Sequence, residues 1–142
     1  MKISHLAAGA ALASMLAGAA SADPLPMDTP VTLGSVEAVC TGVGSGKDDP
    51  RWKNYPVRVE FYNAAGQNLA SAQVKLSDAA GQTMADFDCW GTWVLFKLPR
   101  GKYSVTATMD NMTIPPRSAA FAPPEHGQQR VILRFAEVPA DK

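Results

Sequence analysis

Apolar and polar side chains alternate with a period of two through the middle of this chain. That confines it to half-buried strands, because only extended backbone sends successive side chains to opposite faces. Val57, Val59 and Phe61 share one face against Arg58, Glu60 and Tyr62. Val74 and Leu76 oppose Gln73, Lys75 and Ser77, and Tyr103, Val105, Ala107 and Met109 form the most regular series. Turn chemistry ends these runs: Asn63-Ala64-Ala65-Gly66 and Asp78-Ala79-Ala80-Gly81 each supply a glycine where a tight turn needs positive φ. Thr92 to Leu98 is apolar on both faces, as a central strand is, and Val131, Leu133 and Phe135 face inward in the last strand. Val31 to Val43 reads as a first strand interrupted by Gly34. Pro115-Pro116 removes two ladder donors and confines Met112 to Ala122 to an edge or a loop. The pattern predicts an all-β fold: one antiparallel sandwich of seven to eight strands over residues 31–138, its inner faces made by the inward residues named above together with Val94 and Phe96.

The first residues have a different character. Met1-Lys2, an uncharged stretch from Leu6 to about Ala19, and Ala20-Ser21-Ala22 before Asp23 have the form of a cleavable secretory signal over residues 1–22. Residues 23–30 hold three prolines and read as an extended leader, and residues 139–142 as a tail. With the signal removed, twelve basic residues face 13 acidic ones, and neither sign is concentrated. Nucleic acid is therefore not an expected partner, since phosphate neutralisation needs clustered Lys and Arg. No membrane span is expected after cleavage, and the location expected is periplasmic or secreted. Export into an oxidising compartment predicts a Cys40–Cys89 disulfide, the alternative being two buried free thiols.

The segment Leu98-Pro99-Arg100-Gly101-Lys102-Tyr103-Ser104-Val105-Thr106-Ala107 resembles the Leu-Pro-x-Gly-x-Tyr-x-Val-x-Ala signature of carboxypeptidase regulatory-like domains. Val74-Lys75-Leu76-Ser77-Asp78-Ala79-Ala80-Gly81 is similar to that family's strand and Asp-Ala-x-Gly turn. The resemblance covers residues 55–109 best. It extends to small exported bacterial proteins that carry such a domain alone, with a corner like Thr41-Gly42-Val43-Gly44 before a charged loop. It implies a transthyretin-like (prealbumin-like) sandwich, of the immunoglobulin-like architectural type. It implies no activity, since such domains serve as accessory, adhesive or carbohydrate-associated modules.

Side chains able to carry chemistry are few. The chain after the signal has one histidine, His126, in a Pro/Gly-rich loop, with no metal-ligand spacing around it. Hydroxyisourate hydrolases share the transthyretin-like fold but use several histidines, so the chain departs from them. Gly44-Ser45-Gly46-Lys47-Asp48 lacks the first glycine and the Mg-binding hydroxyl of a phosphate loop. Asp48, Asp49, Asp86 and Asp88 together offer oxygen ligands for Ca²⁺, but read better as solvated carboxylates. No catalytic residue, metal or cofactor is expected.

The aromatic group is the feature folding explains least. Trp52, Tyr55, Tyr62 and Trp90 are the candidate binding residues, with Trp93 assigned to the core. The function expected is a non-enzymatic envelope module that binds or scaffolds a protein, peptide or glycan. The runner-up is a carbohydrate-binding module and the third reading a hydrolytic enzyme. The exported protein should begin at Asp23, which intact-mass measurement checks; recovery of residues 1–22 in the membrane fraction would contradict it.

Overall fold

The computed structural model describes residues 23–110 and 112–140, so the expected signal peptide and the last two residues of the tail lie outside the described residues. Nine strands form two packed sheets, and no α-helix is present among the described residues. They are β1 (Val31–Leu33), β2 (Val36–Thr41), β3 (Val57–Asn63), β4 (Ala72–Asp78), β5 (Thr83–Cys89), β6 (Trp93–Lys97), β7 (Tyr103–Met109), β8 (Arg117–Phe121) and β9 (Gln129–Phe135). One sheet has the order β1-β2-β6-β3-β9, the other β5-β4-β7-β8. Every side chain expected on the inner faces is buried in the core between them. Phe87 and Phe96 meet edge to face across it, with ring centroids 6.1 Å apart.

Two expectations change. The expected first strand is a hairpin, because Gly34 takes φ 63° and reverses the chain between β1 and β2, which raises the count to nine. The β3–β9 pair is parallel, although the central strands were expected to pair antiparallel. The side-chain period fixes which face a residue occupies but carries no information on strand direction. β9 arrives from the other sheet after β8, and that long return allows either orientation.

The turns behave as their composition dictates. The Asn63 side-chain oxygen accepts from the amides of Ala65 and Gln67, and that of Asp78 from Ala80 and Gln82, in matching geometry. In the Leu98–Tyr103 segment, the Tyr103 hydroxyl donates to the Pro99 carbonyl at 2.6 Å and its ring stacks on Phe121. The proline-rich leader is extended but not loose. Leu25 enters the core, its amide bonds the Asp88 carbonyl of β5, and the Asp28 amide bonds the Cys40 carbonyl of β2.

Residues 24–28 thus cross from one sheet to the other beside the Cys40–Cys89 disulfide, whose Cα atoms are 5.5 Å apart. That end is packed against glycine. A Cβ at Gly91 would collide with the Thr41 carbonyl, and one at Gly42 with the Thr92 hydroxyl. Replacing both cysteines by serine should lower stability by about 2–5 kcal/mol. Denaturant unfolding checks this, and unchanged stability would mean that the leader and the strand contacts hold this end alone.

Candidate functional site

The register of the five-stranded sheet fixes which side chains meet on its outer face. Across β2, β6, β3 and β9 one row reads Val39, Leu95, Arg58, Arg130; the next reads Thr41, Trp93, Glu60, Ile132. Val39 and Leu95 are apolar residues on the outward side of their strands and need a cover. The segment after β2 supplies it as two 3-10 turns, Gly44–Asp48 and Pro50–Asn54. Asp49 caps the second: its carboxylate accepts from the Arg51 amide and pairs with the Arg51 guanidinium at 2.8 Å, which holds its pKa below the ordinary value.

These turns seat Trp52 and Tyr55 on Val39 and Leu95 as a second, smaller core. The Trp52 indole N–H donates to the Gly46 carbonyl at 2.7 Å, and its ring meets Tyr55 edge to face. The Tyr55 hydroxyl donates to Glu37 at 2.6 Å while Lys97 lies over its ring, 4.7 Å from the centroid. Burial and then the bond to Glu37 raise the Tyr55 pKa far above that of a free phenol. Two of the four candidate binding aromatics are therefore buried packing elements of the cover, only 3% and 4% exposed.

Beside the cover the sheet face stays partly open. Trp93 is half-buried here on the outer face rather than in the core, with the Arg58 guanidinium 4.3 Å from its ring centroid. The buried Glu60 carboxylate takes hydrogen bonds from Arg130 and, at 2.8 Å, from Tyr62, with the Arg58 Nε 3.5 Å away. Burial pushes the Glu60 carboxyl up, but the bonds from Arg130 and Tyr62 and the charges of Arg58 and Arg130 outweigh it. Its pKa consequently lies below the ordinary 4.5. Tyr62, the third candidate aromatic, is half-buried in this network, its phenol raised by burial and by Glu60.

A cleft of about 290 Å³ opens where the cover meets this face, lined by Lys47, Asp48, Asp49, Trp52, Lys53, Arg58, Trp93 and Gln128. Gln128 is fixed from below: its side-chain nitrogen donates to the carbonyls of Trp52 and Tyr55 at 2.9 and 3.0 Å. Trp90 lies elsewhere, next to Cys89, and is 59% exposed. Of the four candidates only Trp52 lines this cleft, and Tyr62 lies in the adjoining Glu60 network. Arg58, Trp93, Lys47, Lys53 and Gln128 were missed as site residues. The available signal was the Arg58-x-Glu60-x-Tyr62 side of β3, too rich in strong hydrogen-bonding groups for a merely solvated face.

The four aspartates considered for Ca²⁺ separate. Asp48 and Asp49 sit in the cover, and Asp86 and Asp88 point outward from the other sheet, so they do not form one site. Among the described residues no three His, Cys, Asp or Glu side chains cluster as a metal site. His126 is exposed in its loop. No protein-family model matches the chain, and no curated protein matches it.

The Glu60 network generates a pH prediction. Because its folded pKa is depressed, Glu60 stabilises the fold fully above about pH 4.5, and that contribution is lost as pH falls through the folded pKa. Glu60→Gln should cost about 1–3 kcal/mol at pH 7, with the difference from wild type narrowing toward pH 3. Urea unfolding across that range checks it, and a gap independent of pH would rule out the carboxylate charge as its source.

Proposed function

We propose that this chain is a non-enzymatic cell-envelope module of carboxypeptidase regulatory-like type, exported by its signal peptide to the periplasm. There it binds or scaffolds another macromolecule through the outer face of the β1-β2-β6-β3-β9 sheet. The observation that carries this reading is the geometry of that face. Glu60 is held by Arg130 and Tyr62, and the Arg58 guanidinium lies 4.3 Å from the centroid of the half-buried Trp93 ring. Side chains so fixed present oriented charges and donors, as recognition requires.

The disulfide is compatible with an oxidising compartment, and no helix among the described residues is long and apolar enough to cross a membrane. The half-buried Trp93 with Arg58 against it, Tyr62 and the exposed Ile132 give the face the mixture of aromatic, Arg and apolar surface typical of interface centres. A carbohydrate-binding reading draws on Trp90, the one tryptophan with most of its ring area open to solvent and hence able to stack on a sugar.

Photo-crosslinking in the envelope tests the first reading. A crosslinker at Lys53 or Ile132 should give discrete adducts, and one at Gln82, exposed in a turn of the other sheet, should not. Equal labelling from all three positions, or none from any, would overturn it. A glycan array probed with wild type and Trp90→Ala tests the second reading: binding lost with that ring would favour it.

A further inference from the structure

We infer that the cleft between the cover and β3 is a receptor for the free C-terminal carboxylate of a peptide, with Arg58 as its primary ligand; this rests on the binding-module reading above. Arg58 is preorganised to an unusual degree. Its guanidinium is held against the Trp93 ring on one side and drawn by Glu60 on another, which fixes the plane of the fork. Its Nε is buried with no hydrogen-bond partner, and no group among the described residues accepts from its terminal nitrogens. A planar fork with its orientation already set and its end unoccupied suits two coplanar oxygens.

The charges around it favour a single negative charge. Among the lining residues Lys47, Lys53 and Arg58 face Asp48 and Asp49. Three cations against two anions leave one net positive charge, enough to attract a carboxylate, while Asp48 opposes a doubly charged phosphate. Lys47 and Lys53 are exposed and make no ion pair among the described residues, so both ammonium groups are available to an incoming anion. They add long-range attraction rather than geometry.

The peptide source follows from Gln128. Both hydrogens of its side-chain nitrogen are committed to the Trp52 and Tyr55 carbonyls, so the amide orientation is settled and only its oxygen is left to interact. The cleft therefore pairs an oxyanion fork with an amide oxygen that takes an N–H. A terminal peptide residue offers both complements within one unit. The volume, about 290 Å³, suits one such residue.

Nitrogen-15 NMR of the disulfide-bonded protein at low salt reads this directly, through the Trp93 indole N–H and the Arg58 Nε–H. Titration with N-acetylglycine should shift both signals saturably, and its neutral analogue N-acetylglycinamide should shift neither. Arg58→Gln should weaken binding about tenfold, the loss expected for a charge-assisted hydrogen bond. Lys47→Gln and Lys53→Gln, which touch no core contact, should each weaken it about two- to threefold and reduce its salt dependence. Those two variants keep the test valid if Arg58→Gln unfolds. Equal shifts with the amide, no shift with N-acetylglycine, or tighter saturation by methyl phosphate or methyl glucuronide would overturn the proposal. If crosslinks from Lys53 persist while N-acetylglycine moves nothing, the binding-module reading stands and only this one falls.

Discussion

β6 lies between β2 and β3 and is buried on both faces, and much of the molecule follows from that requirement. Its inward residues Val94 and Phe96 join the main core, but Leu95 faces away from it and, with Val39 beside it, would expose a contiguous apolar strip. The 3-10 turns of residues 44–54 cover that strip with Trp52 and Tyr55. Because the cover ends at Arg58 and Trp93, a cleft forms at its border rather than over the middle of the sheet. The candidate site is thus a by-product of how a two-faced central strand is protected from water.

Electrostatics on the uncovered half obey the same economy. A buried carboxylate is costly unless it is paired and hydrogen-bonded, and Glu60 meets that condition through Arg130, Tyr62 and Arg58. Arg130 and Arg58 stand side by side because they are register partners in the β3–β9 pair, so that register decides whether Glu60 is satisfied. Once satisfied, the network leaves Arg58 with its stem and Nε fixed and its terminal nitrogens unbonded. That turns a structural charge pair into a preorganised donor.

The corner of the sandwich next to Trp93 is held differently. There the leader, the disulfide and the close approach of Gly91 and Gly42 to neighbouring backbone and side chains bind β2 to β5, and the two sheets cannot separate locally. A leader that looks dispensable in sequence contributes Leu25 to the core and two backbone hydrogen bonds, one to each sheet. The cross-link and the leader act on the same pair of strands and touch at Cys40 and Met27, so the two restraints are coupled.

Most of the strands, their inward faces, the Asn63 and Asp78 turns and the cysteine pairing were legible in the sequence. Each depends on local rules: a period of two, a side-chain oxygen capping its own turn, and two thiols in a secreted-type chain. The β1–β2 hairpin was missed because a single glycine interrupts a strand or reverses it with the same composition. The parallel β3–β9 pair, the burial of Trp52 and Tyr55, and the outward position of Trp93 were decided only in three dimensions. Alternation states that a residue belongs to one of two faces; it does not state what lies over that face. The site formed by Arg58, Trp93, Lys47, Lys53 and Gln128 draws on β3, β6, the cover and the approach to β9, segments far apart in the chain. Only strand order and register bring those segments together, because long-range pairing is set by the packing of whole sheets and not by the residues that end up as neighbours.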